Sequence, residues 1–255
     1  MSLIVCDAFA GAADYDGLPR GFGSSSHYLL MGSASHLLYS TAGLKEKLTV
    51  IGNLAVSQAL LAAGPFNTPA RGHRIALFMQ PLRPVSELYC PAYEKMIRDL
   101  IGWVARIKDA RIVVKLHPQQ TEFFVEESFT EPTIERTDGY QSETRNVELI
   151  LGSRVVVTHC SSVAWLSMHL RRPVVFIHEG HQESHPLAAF GVSQISNGSD
   201  DLLRRVEMLL FDRQYFEKVI AEQSIEVARV MRADANVAKR LVESLKHAAD
   251  SQHVA

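Results

Sequence analysis

The chain reads as an α/β protein built on a doubly wound parallel sheet, and three observations predict it. Residues 75–79 (IALFM), 155–158 (VVVT) and 174–177 (VVFI) are continuous apolar or β-branched runs of strand length, and 111–116 (RIVVKL) reads as another buried strand around the apolar residues 112–114. Such runs suit strands buried on both faces better than the polar alternation of a half-exposed strand. Tyr93, Met96, Ile97, Leu100, Ile101 and Val104 trace one helical face between the first two runs, and Val163, Leu166 and Leu170 do the same between the last two. Strands that alternate with helices of this length form a parallel sheet with helices on both sides.

Taken in order, residues 3–6 (LIVC) read as a short strand with Asp7 at its carboxyl end. A Gly-, Ala- and Asp-rich loop follows, with turn signals at Asp16-Gly17 and Pro19. Residues 37–40 (LLYS) and 48–51 (LTVI) are further strand candidates, the second running into Gly52-Asn53. Residues 54–63 suit a short helix, and 64–72 form a loop rich in Pro, Gly and Asn. The strand at 75–79 ends in Gln80-Pro81, and the strand at 111–116 ends in His117-Pro118. The acidic stretch 123–148 has weak periodicity, with room for a small strand and a helix start. After the strand at 155–158, Ser161 and Ser162 open a helix that Arg171-Arg172-Pro173 closes. Two amphipathic runs, 200–211 and onward to 247, end the chain. Leu202, Val206, Leu209 and Leu210, and then Val237, Leu241, Val242 and Leu245, are expected in the core.

The chemistry is concentrated at two of these junctions. Serine is a favoured N-cap, because its hydroxyl satisfies N–H groups that the first helical turn leaves free, and the same groups favour an anion. Ser161 and Ser162 are therefore candidates to hold a phosphate, or simply to cap their helix. Proline stops the preceding strand, so His117 belongs at the carboxyl end of a sheet strand, where open α/β sheets bind ligands. Its plain alternative is a histidine that caps the strand through hydrogen bonds. Lys115 lies two residues earlier, on the same side of the strand, as a second phosphate candidate or an exposed lysine.

The segments VVKLHP and THCSSVAWLSMHLRRPVVFI resemble the HP and serine motifs of bacterial capsule and lipooligosaccharide sialyltransferases, and are similar to those of Kdo and CDP-glycerol transferases. The resemblance runs from about residue 48 to 210 and implies a GT-B glycosyltransferase, inverting, with a cytidine-nucleotide sugar such as CMP-sialic acid as donor and a cell-surface glycan as acceptor. It implies Ser161, Ser162, Lys115, Pro118 and Gln80 on the donor, and His117 meeting the departing phosphate as acid or counter-charge. The family's acidic-acidic-glycine motif is matched only in part by Tyr15-Asp16-Gly17 and by Cys6-Asp7-Ala8, so Asp16 and Asp7 both stand as candidates for the base. TVIGN resembles the crossing into the second GT-B domain. It implies residues 1–47 as a partial acceptor-side domain and residues 48–255 as a Rossmann-like nucleotide-sugar domain. About fifty residues are few for a first domain, so either the chain is truncated or a second chain completes the site. A nucleotide-binding module without activity and a sugar-nucleotide epimerase of similar architecture are the alternatives; the HP and Ser-Ser signatures fit the epimerase less well.

Composition narrows the partners. The chain has 255 residues, 47% of them hydrophobic and 21% charged, as a globular protein has, and a net charge of -2 with no clustered Lys/Arg run argues against nucleic acid. Three separated cysteines without a CxxC pair suit a reducing compartment. No stretch reaches membrane-spanning length and the start lacks a basic leader, so the expected setting is the cytoplasm, with any membrane contact peripheral, at the inner face. His178, His181, His185, Glu179 and Glu183 cluster after the last strand. A strand-to-loop setting offers no fixed ligand face, so they are expected to line the nucleotide site, with no metal and no cofactor.

Overall fold

The structure, a computed structural model, describes residues 3–6, 27–30, 48–63, 72–79, 91–116, 134–137, 143–159, 161, 163–178, 188 and 191–250. In chain order its elements are β1 (Leu3–Cys6), β2 (His27–Leu30), β3 (Leu48–Val50), α1 (Leu54–Ala63), β4 (His73–Phe78), α2 (Pro91–Ala105), β5 (Ala110–Lys115), β6 (Ile134–Thr137), α3 (Glu143–Leu151), β7 (Val155–Thr158), α4 (Val163–His169), β8 (Val174–Phe176), α5 (Gly198–Phe211), α6 (Arg213–Val230) and α7 (Val237–Asp250). By packing they fall into two units, residues 1–64 with 225–255, and residues 65–224. Residues 48–64 and 225–255 thus group with the first strands, whereas the sequence reading draws its line between 47 and 48.

In the first unit β1, β2 and β3 form a parallel sheet in that order, with Leu3 opposite His27 and Tyr28 opposite Leu48. The sequence anticipates β1 and β3 but not β2; its candidate at 37–40 lies outside the described residues. The joint between β3 and α1 is tightly held. Asn53 caps α1, its side-chain oxygen accepting from Val56 N–H at 2.9 Å, while its own N–H donates to the Arg232 carbonyl at 2.8 Å. Gly52 has φ +101°, and a Cβ there would lie 2.5 Å from that same carbonyl oxygen. Glycine is required twice over, by conformation and by space. Arg240 of α7 donates through Nε to the Ile51 carbonyl at 2.8 Å and grips Asp234 with both terminal nitrogens at 3.0 and 3.1 Å.

Two expectations for the C-terminal part need correction. The amphipathic run to 247 is not continuous: it breaks at residues 231–236, where the Asp234 carboxylate accepts from Asn236 N–H at 2.8 Å and forms a turn. Val237 is buried and Leu241 half-buried, but Val242 is 49% exposed and Leu245 38% exposed. At about 100° per residue, Val242 sits about 140° and Leu245 about 80° round the helix from Val237, away from the face that packs.

The second unit carries a five-stranded parallel sheet in the order β6-β5-β4-β7-β8. All four apolar runs of the sequence lie in it. One face, with Ile75, Leu77, Ile112, Val114, Val155, Val157 and Val175, packs on α2 and α5, where Leu202, Val206, Leu209 and Leu210 are buried as expected. The opposite face is covered by α4, whose buried Trp165 meets Phe176 at 6.4 Å between rings. The sheet is therefore wound on both sides. The ambiguous acidic stretch supplies the short strand β6 and the start of α3. At the β8 edge the Gln223 amide imitates a strand, accepting from Val174 N–H at 2.8 Å and donating to its carbonyl at 2.7 Å. Residues 194–196 continue that edge, the Phe176 N–H donating to the Gln194 carbonyl and Ser196 N–H to the Phe176 carbonyl, each at 2.8 Å.

Two outcomes follow from the β3–α1 joint. Gly52→Ala is expected to destabilise the protein by about 1–3 kcal/mol or more, through backbone strain and the clash with Arg232. Gly72→Ala, at φ +67° with open space around the added carbon, is expected to cost less; equal losses in urea unfolding would contradict the role given to the Arg232 contact. The hydrogen bonds from Arg240, with smaller contributions from the Asn236 N–H and Arg232, hold the Asp234 pKa down at about 2, from an ordinary 3.8. A depressed carboxylate contributes stability that is complete above its unfolded pKa and is lost as pH falls through the folded one. Unfolding measured from pH 5 to 2 is expected to show this loss below about pH 4, and Asp234→Asn to remove that part of the slope.

Candidate functional site at the carboxyl edge of the five-stranded sheet

Chain order reverses at β4. From it the chain runs outward through β5 to β6 on one side, then returns to lay β7 and β8 on the other. Such a reversal separates the helices on the two faces and opens a crevice beyond the carboxyl ends of the two strands concerned. The crevice belongs to β4 and β7, which end at Phe78 and Thr158.

Short bonds hold these strand ends. The Thr158 hydroxyl donates to the Phe78 carbonyl at 3.0 Å, tying β7 to β4 beyond the regular ladder. Met79 N–H donates to the Lys115 carbonyl at 2.9 Å, and Ile177 N–H to the Thr158 carbonyl at 2.8 Å. Register places Lys115, Phe78, Thr158 and Phe176 in one row across four strands, so their side chains share the face covered by α4. On the other face, the half-buried His159 stands edge-on to Tyr93 of α2, with ring centres 5.6 Å apart at 80°.

Of the residues singled out in the sequence, the structure places Ser161 and Lys115, and both lie at this edge. The Ser161 side-chain oxygen accepts from Val163 N–H at 3.3 Å and its carbonyl accepts from Ala164 N–H at 3.0 Å. In this structure it hydrogen-bonds the start of α4. Lys115 is not an exposed lysine: it is only 8% exposed, and burial lowers its pKa from the ordinary lysine value. His117, Pro118, Gln80, Ser162, Asp7 and Asp16 lie outside the described residues. His178, half-buried, follows β8 at the same edge, and its carbonyl accepts from Gly198 N–H at 3.1 Å, where α5 begins. His181, His185, Glu179 and Glu183 lie outside the described residues, among which no group of three His, Cys, Asp or Glu is placed to hold a metal.

Sequence reasoning passed over Thr158 and the Tyr93–His159 pair. Thr158 had a signal, being the one hydroxyl in an otherwise aliphatic strand at its ligand-facing end. The pairing of Tyr93 with His159 joins residues 66 positions apart and has no local signal.

No protein-family model matches the sequence, and no curated protein matches it. Solved structures do. The structure of S. aureus MnaA with UDP superposes with a TM-score of 0.68 at 14% identity, over 97% of this chain and 75% of that one. UDP-GlcNAc 2-epimerase from Neisseria meningitidis, bound to UDP-GlcNAc, gives 0.65 at 13% identity over 92% and 66%. A putative UDP-N-acetylglucosamine 2-epimerase from Listeria monocytogenes gives 0.66 at 12% identity over 98% and 74%. At such identities the likeness shows the fold alone: an α/β chain with the doubly wound parallel sheet of GT-B proteins.

Proposed function

We propose that the chain binds a nucleoside-diphosphate sugar with a uridine base at the carboxyl edge of the five-stranded sheet, and inverts a ring carbon of that sugar. The observation that carries this reading is the likeness, over 92 to 98% of the chain, to the three structures above, two of them described with UDP or UDP-GlcNAc bound. The described geometry is consistent with it, because the crevice at β4 and β7 is where an open sheet of this order takes a nucleotide. An epimerase has to remove a proton from one face of the sugar and return one to the other, with groups whose pKa values lie near working pH. His117, two residues after Lys115 in the sequence, is our candidate for one of them.

Sugar transfer is the second reading, and the HP and serine motifs favour it, since they follow β5 and β7, the two strands that flank β4. In that case the donor carries cytidine, as in CMP-sialic acid. Ser161, Ser162, Gln80 and Pro118 help hold it, and Asp7 or Asp16 takes the proton of a glycan acceptor. Residues 1–47 then belong to the acceptor side and residues 48–255 to the donor side. Either substrate class suits a cytoplasmic setting. No helix among the described residues is long and apolar enough to cross a membrane.

Calorimetry separates the bases. UDP is expected to bind at least about tenfold more tightly than CMP, a difference of about 1.4 kcal/mol; equal affinities or a preference for CMP would count against uridine. Proton NMR of UDP-GlcNAc incubated with the chain then separates the reactions. Appearance of the C2 epimer supports the first reading, release of nucleotide only with a glycan acceptor supports the second, and binding with neither leaves a module without activity. For whichever reaction is seen, His117→Ala is expected to lower turnover about a hundred- to ten-thousand-fold with a smaller effect on nucleotide affinity. Near-full activity in His117→Asn would make His117 a strand cap.

A further inference from the structure

Lys115 is the one lysine on the β4–β8 strands, and the fold buries it to 8% exposure at the carboxyl end of β5. Its direct row neighbours are Thr137 on β6 and Phe78 on β4, with Thr158 and Phe176 beyond; Phe78 and Phe176 are apolar, and the Thr158 hydroxyl is committed to the Phe78 carbonyl at 3.0 Å. The Lys115 ammonium forms no hydrogen bond or ion pair with any described residue. Burying a cation without a counter-charge costs free energy, which is why buried charges are nearly always paired. Among the described residues the Lys115 ammonium thus has no counter-charge. Lys115 is the last residue of β5, at the edge of the sheet where the crevice opens, and lies two strands, or about 10 Å, from Thr158.

From this geometry we infer that Lys115 is an anion-binding residue, and that the phosphate groups of the bound nucleotide supply its counter-charge. The inference rests on the nucleotide reading for the identity of the ligand, but not for the existence of the anion site. A lysine answers a phosphate as a point charge with three donors, whereas an uncharged ligand leaves it unsatisfied. The site thus selects on charge: a nucleoside lacking phosphate gains nothing from Lys115, while nucleoside phosphates and free pyrophosphate do. In the ligand-free protein the same lysine is expected to weaken the fold, because no described residue offsets its desolvation.

The full chain is tested by calorimetry with UDP, CMP, uridine and pyrophosphate, and by thermal unfolding without ligand, against Lys115→Met and Lys115→Arg. Methionine matches the length without the charge. Lys115→Met is expected to weaken UDP binding about ten- to a hundredfold, the loss usual for a hydrogen bond to a charged group, with uridine unchanged and the ligand-free melting temperature equal or higher. CMP, if it binds, is expected to fall likewise, and Lys115→Arg to keep most of the UDP affinity. Should no nucleotide bind but pyrophosphate bind the natural chain and not Lys115→Met, the nucleotide reading falls and the anion site stands. Should UDP bind both proteins equally, the inference about Lys115 is overturned and the nucleotide reading stands. Binding of neither UDP nor pyrophosphate overturns both, and a lower ligand-free melting temperature in Lys115→Met overturns the inference by showing that the ammonium holds the fold.

Discussion

The central strand β4 is paired on both sides, with β5 and with β7, and the chain changes direction across it. That constraint determines where chemistry can happen. Because all five strands are parallel, every carboxyl end lies at one edge, and because the winding reverses at β4, the helices part there. The Thr158–Phe78 bond fixes the two strand ends that border the gap. Several polar residues come to this edge: Lys115 at the end of β5, Thr158 at the end of β7 with His159 after it, and His178 after β8.

Much of this architecture was legible because the relevant signals are local. Four apolar runs and the helical spacing from Tyr93 to Val104 depend on burial alone, and each became a buried strand or helix face. Failures came where the determinants were distant. β2 is a four-residue strand that pairs with strands more than twenty residues away on one side and eighteen on the other. Val242 and Leu245 read as core because amphipathic spacing shows that a face exists, not how wide the covering neighbour is. For the site, type and place were readable for Lys115 and Ser161, but burial was not. Burial of Lys115 comes from the width of the sheet around it, while the Ser161 oxygen turns back to its own helix.

The two units show one principle at different places: local cost accepted for a geometry the rest of the fold needs. At Gly52 a left-handed backbone lets the chain pass 2.5 Å from where a side chain would strike the Arg232 carbonyl, so that β3 can lead directly into the capped start of α1. At Lys115 a cation is stripped of water at the end of a strand. The first cost is met within the protein by hydrogen bonds, and the second, in the inference drawn above, by a bound anion. The two readings proposed above differ in their reaction, transfer or epimerisation, and share a nucleotide phosphate at this edge. The physical argument for a charged ligand is thus stronger than the argument for either chemistry.

The most direct test of that placement is a methyl-resolved NMR titration of the full chain with UDP. The account predicts that the Met79 and Thr158 methyl signals, at the ends of β4 and β7, shift together and saturate with one affinity, while the Val237 and Val242 methyl signals on α7 stay in place. Shifts confined to α7, or saturation without change at Met79 and Thr158, would contradict a nucleotide site at the carboxyl edge of the five-stranded sheet.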